Sequence, residues 1–138
     1  MTPAEKRLTK VFDKENAPAM KAGNSEDPRV VFSQWLTAKE NPFFSRAIVN
    51  RVWRNFMGRG LIEAEDDLRA TNPASNPALL DALGEDFIKD GYDMKKLMRK
   101  IVLSAAYQRS SLPNAMNEND DRFYSRFLPR RLKAEILL

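Results

Sequence analysis

The chain has 138 residues, 43% apolar and 30% charged, which is enough for one domain with its own core and unlike the composition of a disordered chain. Its 23 basic and 19 acidic side chains leave a formal charge of +4, which permits an anionic partner without demanding one. The absence of cysteine and histidine excludes disulfides, Cys/His zinc sites, Ser–His or Cys–His nucleophilic pairs and C-x-x-C-H haem attachment within this chain.

The first residues, MTPAEKRLTKVFDKENAPAM, carry charge but no apolar h-region, so they do not read as a signal peptide. No apolar run approaches the roughly 18 residues that a membrane span needs. Leu8, Val11 and Phe12 suit a short helix, and residues 13–28 are polar with Gly23 and Asn24 among them. Residues 1–28 are therefore expected to be a flexible N-terminal segment, and 29–138 a helical domain.

Asp27-Pro28 is a helix-start pair, predicting a helix over about 29–38 with Val31, Trp35 and Leu36 toward a core. Asn41-Pro42 repeats the signal. Phe44, Ile48, Val52 and Phe56 then recur every four residues, with Val49 and Trp53 widening the stripe and Gly58 closing the helix. Residues 59–75 lack a helical period and read as an irregular surface connection.

Asn76-Pro77 opens the next helix, whose Leu79, Leu80, Leu83, Phe87 and Ile88 share a face, and Gly91 suits a left-handed position after it. Asp93 caps a further helix carrying Met94, Leu97, Met98, Ile101, Val102 and Ala105. Residues 112–121 read as a loop. Arg131 is expected to begin a last helix that the chain leaves unfinished in RRLKAEILL. No stretch alternates as a strand does. The expected fold is all-α, a single irregular bundle of about four to six helices.

Two polar constellations stand out. Arg46, Asn50 and Arg54 form one helical ridge, with Arg51 on its flank, opposite the Ile48–Val52–Phe56 face. A turn with two glycines then leads to Asp66 and Asp67, which can fold back onto the guanidiniums, with Glu63, Glu65 and Arg69 beside them. These residues suit a polar network that locks the connection onto the helix. The other reading is an anion pocket or a hard-cation site. The spacing does not fit an EF-hand loop, and neighbouring acids do not establish a glycosidase carboxylate pair.

The second constellation is Lys95, Lys96, Arg99 and Lys100. These cations crowd the early turns of a helix, where its dipole favours anions. Glu85, Asp86 and Asp90 on the preceding helix can offset them. A base-reading helix usually adds Asn, Gln or Ser near its start, and this one carries none on its exposed face, so nucleic acid is not expected as a partner. The aromatic residues Phe43, Phe44, Trp53, Phe56 and Phe87 sit at core spacing, and Tyr92 stands where a staple precedes the Asp93 cap. Nothing in these patterns calls for a metal or a cofactor.

The run FSQWLTAKENPFFSRAIVNRVWRNFMGRGLIEAEDDLRATNPASNPALLDALGEDFIKDGYDMKKLMRKIVLSAAYQRSS, over about 32–111, resembles a domain of unknown function typical of planctomycetes and related bacteria. The NPF start, the VNRVW core, the G-R-G turn, DDLR, the NP-capped helix and SAAYQRSS occur in that family's order, and RFLPRRLKAEILL extends the match. The resemblance implies the C-terminal region of a large exported protein, often with a cytochrome-c-like domain upstream. It implies no accepted reaction. Family members often carry a histidine where this chain has Asn76. The expected role is a structural or interaction module that packs on other domains of its parent. The alternative is a ligand-binding or enzymatic fragment acting on anionic or sugar-rich polymers through Arg46, Arg51, Arg54, Arg69, Asp66 and Asp67.

Overall fold

Three helices start on the same two-residue chemistry. In the computed structural model, which describes residues 27–129, 131 and 134–137, α1 spans Pro28–Leu36, α2 Pro42–Met57 and α3 Pro77–Lys89. Asp27, Asn41 and Asn76 accept hydrogen bonds from the backbone N–H groups of Arg29, Phe43 and Leu79 at 3.0, 3.0 and 3.1 Å. Proline follows each cap, at the position where a missing N–H costs nothing. Asn76 thus has a structural task of its own, that of a cap. α4 (Met94–Val102) starts on Asp93, which accepts from Lys95 N–H and Lys96 N–H, and α5 spans Ala134–Leu137. Among the described residues there is no strand, and no helix is long and apolar enough to cross a membrane.

The helix ends are equally local. Gly58 takes φ 80° and donates to the Arg54 carbonyl. After α3, Gly91 (φ 68°) donates to Ile88 O and Tyr92 (φ 62°) to Phe87 O, the paired bonds of a Schellman motif. α4 stops at Val102, before the expected Ala105, because Ser104 turns both its N–H and its hydroxyl onto the Ile101 carbonyl. Ala105 is accordingly exposed.

The core joins Val49, Val52, Trp53 and Met57 of α2, Leu61 and Ile62 just after it, Leu80 and Phe87 of α3, and Leu97 and Ile101 of α4. α2 packs chiefly on α3, and α4 lies against both. α2 and α3 approach closely at Gly84, where a β-carbon would stand 3.4 Å from the buried Ser45 hydroxyl. The buried centre of α2 is Ser45–Val49–Trp53–Met57, one residue (about 100°) round from the Phe44–Ile48–Val52–Phe56 stripe. Ile48 and Phe56 are partly buried flanks. Met94 and Met98 are more than a third exposed, since α4 offers the core one narrow ridge through Leu97 and Ile101.

α1 contributes no buried residue. Its far end is held by Tyr92, whose hydroxyl donates to Thr37 O at 2.7 Å while its ring meets Phe44 and Phe87 edge-on. This anchor, rather than a staple, is what the geometry gives Tyr92. The flexible segment expected over 1–28 lies outside the described residues except at Asp27 and Pro28. Leu132 and the Leu137 side chain also lie outside them, while Ile136 is exposed.

Candidate functional site

The polar joint between α2 and the 59–75 connection is built on one residue. Asn50 is completely buried. Its amide donates to Ile62 O at 3.0 Å, and its carbonyl oxygen accepts from Ile62 N–H at 2.9 Å. A side-chain amide thereby replaces a backbone partner and satisfies both polar groups of a core residue in irregular chain. Gly60 makes the approach possible, because a β-carbon there would collide with Ile62 O and stand 3.0 Å from Asn50 Oδ1. A bond from Ser75 N–H to Leu61 O, at 2.7 Å, closes the far end of the connection.

The arginines surround this joint without sharing a pocket. Arg51 pairs with Asp66 and Arg54 with Glu65, each at 2.6 Å, whereas Arg46 reaches across to Asp81 of α3. Asp67 does not fold back onto α2. It takes Arg69 in a two-point grip at 2.6 and 2.7 Å, and that hydrogen bond holds its carboxyl below the usual range. Glu63 goes to Arg59, which also contacts Asp121. The structure therefore brings together Arg51 with Asp66 and Asp67 with Arg69, places Asn50 in the core, gives Arg54 to Glu65 of the same connection, and sends Arg46 across to α3. The four carboxylates at 63, 65, 66 and 67 each engage a different guanidinium, and no group of three metal-ligating side chains converges among the described residues.

Magnitudes separate these contacts. Arg51 and Asp66 are 58% and 79% exposed, and pairs of that kind contribute about 0–1 kcal/mol. Leaving a buried donor or acceptor without its partner costs about 1–3 kcal/mol per group. Asn50 serves two such groups and outweighs the ion pairs around it.

A third layer comes from the C-terminal segment, which carries little local signal of its role. The Tyr124 hydroxyl donates to Gly60 O at 2.7 Å and lies 3.2 Å from Arg59 O, with its ring edge-on to Trp53 at 5.4 Å. Burial, the largest influence, pushes this phenol's pKa up. Tyr107 stands between Phe56 and Phe127, and Phe127 N–H donates to Ser110 O. Asp120 accepts from the N–H groups of Arg122, Phe123 and Ser125, turning the chain so that Tyr124 faces the Gly60 turn. Between these pieces lies a cleft of about 220 Å³ that Arg59, Gly60, Glu63, Asn72, Ser75 and Arg122 help to line. The G-R-G turn was the sequence's one pointer to it.

The basic ridge of α4 meets the acidic end of α3. Lys100 donates to Asp90 and Asp86 at 2.8 and 3.1 Å, and Lys96 lies 3.7 Å from Asp90. The Lys100 hydrogen bond holds Asp90 below the usual carboxylate range, and Asp90, followed by Asp86, raises Lys100.

Fold and joint together define an all-α domain whose most specific polar residues clamp an irregular connection to its central helix. The chain belongs to the PSD1 family, described as a protein of unknown function (DUF1553), whose profile matches residues 28–138. Comparisons with curated proteins and with solved structures find no match.

Proposed function

We propose that residues 28–138 are a non-catalytic helical module that packs against other domains of a larger exported protein. One observation carries this reading. Past α4, Leu103, Leu112, Met116, Phe123 and Ile136 are between 59% and 97% exposed, in a segment tied down by aromatic and backbone contacts. Large apolar side chains held in the open by an ordered segment are what an interaction surface presents. The arginines point the same way, since Arg46, Arg51, Arg54, Arg59 and Arg69 all spend their charge on internal carboxylates. The resemblance to planctomycete-type exported proteins with a cytochrome-c-like domain supplies the parent in this proposal, with haem held elsewhere in it.

Hydrogen exchange tests the reading by comparing this chain with the longer native gene product. Amides over 103–123 should exchange at least tenfold more slowly in the longer protein. Equal exchange in the two overturns the proposal. In the same preparation, stabilisation by divalent cations or anionic glycans that is lost in Arg51→Ala and Asp66→Ala would favour a site at the arginine ridge instead.

A further inference from the structure

We propose that the loop over 110–117 is a docking knob for a groove on a neighbouring domain, apolar at its floor and rimmed by carboxylates. The inference rests on the packing role proposed above and names the chemistry of the surface packed against. The loop is ordered by its own side chains. Asn114 Oδ1 accepts from the N–H groups of Met116 and Asn117, while Asn117 Oδ1 accepts from Asn114 N–H. Phe127 N–H holds one end by donating to Ser110 O, and Arg126 holds the other by donating to Asn117 O and Glu118 O. This frame displays Leu112, 77% exposed, and Met116, 97% exposed. Apolar side chains carried on a fixed loop have less ordering entropy to lose on docking.

The charge around the knob defines its partner. Arg29, Arg46, Arg51, Arg54, Arg59 and Arg69 each pair with a carboxylate. Arg109 and Arg126, at the two ends of the loop, instead donate to main-chain carbonyls of Ser125 and of Asn117 and Glu118. Arg122, in the turn that Asp120 closes just beyond, lies 5.9 Å from the Phe123 ring centre. No carboxylate among the described residues neutralises these three. Residues 94–138 hold ten basic and four acidic side chains, whereas 28–93 hold eight and ten, so the positive charge collects with the exposed apolar residues.

Protein answers this surface better than lipid. No lysine occurs from 101 to 132, and every cation there is an arginine. Guanidiniums grip carboxylates at two points, and arginine, methionine and aromatic side chains are enriched at protein interfaces while lysine is depleted. Glu118 and Asp121, exposed in the same segment, would be repelled by an anionic bilayer. Carboxylates set opposite the arginines of a protein partner avoid that repulsion.

Hydrogen exchange in the longer native gene product tests the assignment, with Met116→Asp and with Arg109→Gln combined with Arg122→Gln. All three side chains are exposed, so both variants should keep the Tm of the isolated chain. In the longer protein, Met116→Asp should return amides over 110–117 to the rates of the isolated chain, a loss of at least tenfold in protection. The double arginine variant should lose protection severalfold, and wild-type protection should fall as salt is raised about tenfold. Slowed exchange that spares 110–117, or that either variant leaves unchanged, overturns the acidic groove and leaves the packing role standing. Equal exchange throughout removes both. Binding of the isolated chain to phosphatidylglycerol–phosphatidylcholine vesicles, lost in Met116→Asp, overturns the groove in favour of a membrane surface.

Discussion

The joint of α2 with the 59–75 connection and the joint of α3 with α4 are both polar, but they work in opposite solvents. At the first, a neutral amide sits in the core and completes two backbone groups that no water reaches. At the second, Lys100 and Lys96 meet Asp86 and Asp90 at the surface, where water and salt compete with every contact. Charge density is greater at the second joint, and specificity is greater at the first. Only the buried joint fixes one register of an irregular segment, because moving Ile62 by one residue would strand its N–H and C=O.

That contrast can be broken most directly at Asn50. Asn50→Ala should lower unfolding stability by about 2–5 kcal/mol in urea titrations, through two orphaned backbone groups and the space left behind. A loss under about 1 kcal/mol would move the weight to the arginines. Next comes Gly60→Ala, expected to cost about 1–3 kcal/mol as overpacking against Ile62 O and Asn50, with helix content retained by circular dichroism. Arg51→Ala and Asp66→Ala should each stay within about 1 kcal/mol of wild type, and their double-mutant cycle should give a coupling that shrinks in 1 M salt.

Acid should act on the other joint through Asp90 and on the C-terminal turn through Asp120, with the smallest effect. Asp90 has its folded pKa lowered from the ordinary 3.8 by Lys100, and Asp120 has its own lowered chiefly by the Ser125 hydroxyl. Their stabilisation is complete above that ordinary value and is lost as pH falls through the lower folded values. Urea midpoints should therefore drop below about pH 4, less steeply in Asp90→Asn and Asp120→Asn. Amide protection at Ile62 should persist until global unfolding. If Ile62 loses protection together with the α3–α4 surface, the two joints are not independent.

Much of the fold was legible because its punctuation is local. The Asp27-Pro28, Asn41-Pro42 and Asn76-Pro77 starts, the Gly58 and Gly91 ends and the Asp93 cap depend on neighbours within a turn or two. The joint was legible in its region but not in its hierarchy. Asn50 shares a ridge with Arg46 and Arg54, yet it also lies three residues before Trp53 and seven before Met57, so the same spacing serves a buried stripe. Periodicity could not choose between these faces, because the polar partner that makes burial tolerable is the backbone of Ile62. Asp67 was misplaced because a partner two residues away, Arg69, outcompetes the more distant helix. Tyr124, Ser75 and Arg122 left no local trace, since their roles exist only once distant segments meet.

The Tyr124 bond to Gly60 spans 64 residues of chain. Each helix can nucleate on its own cap, and the Asn50–Ile62 clamp closes a loop of only 12 residues. Tyr124 closes a far longer loop over the same turn, and that loop carries the larger closure entropy. The Gly60 turn is thus gripped from both sides, by the helix just before it and by a segment near the other end of the chain.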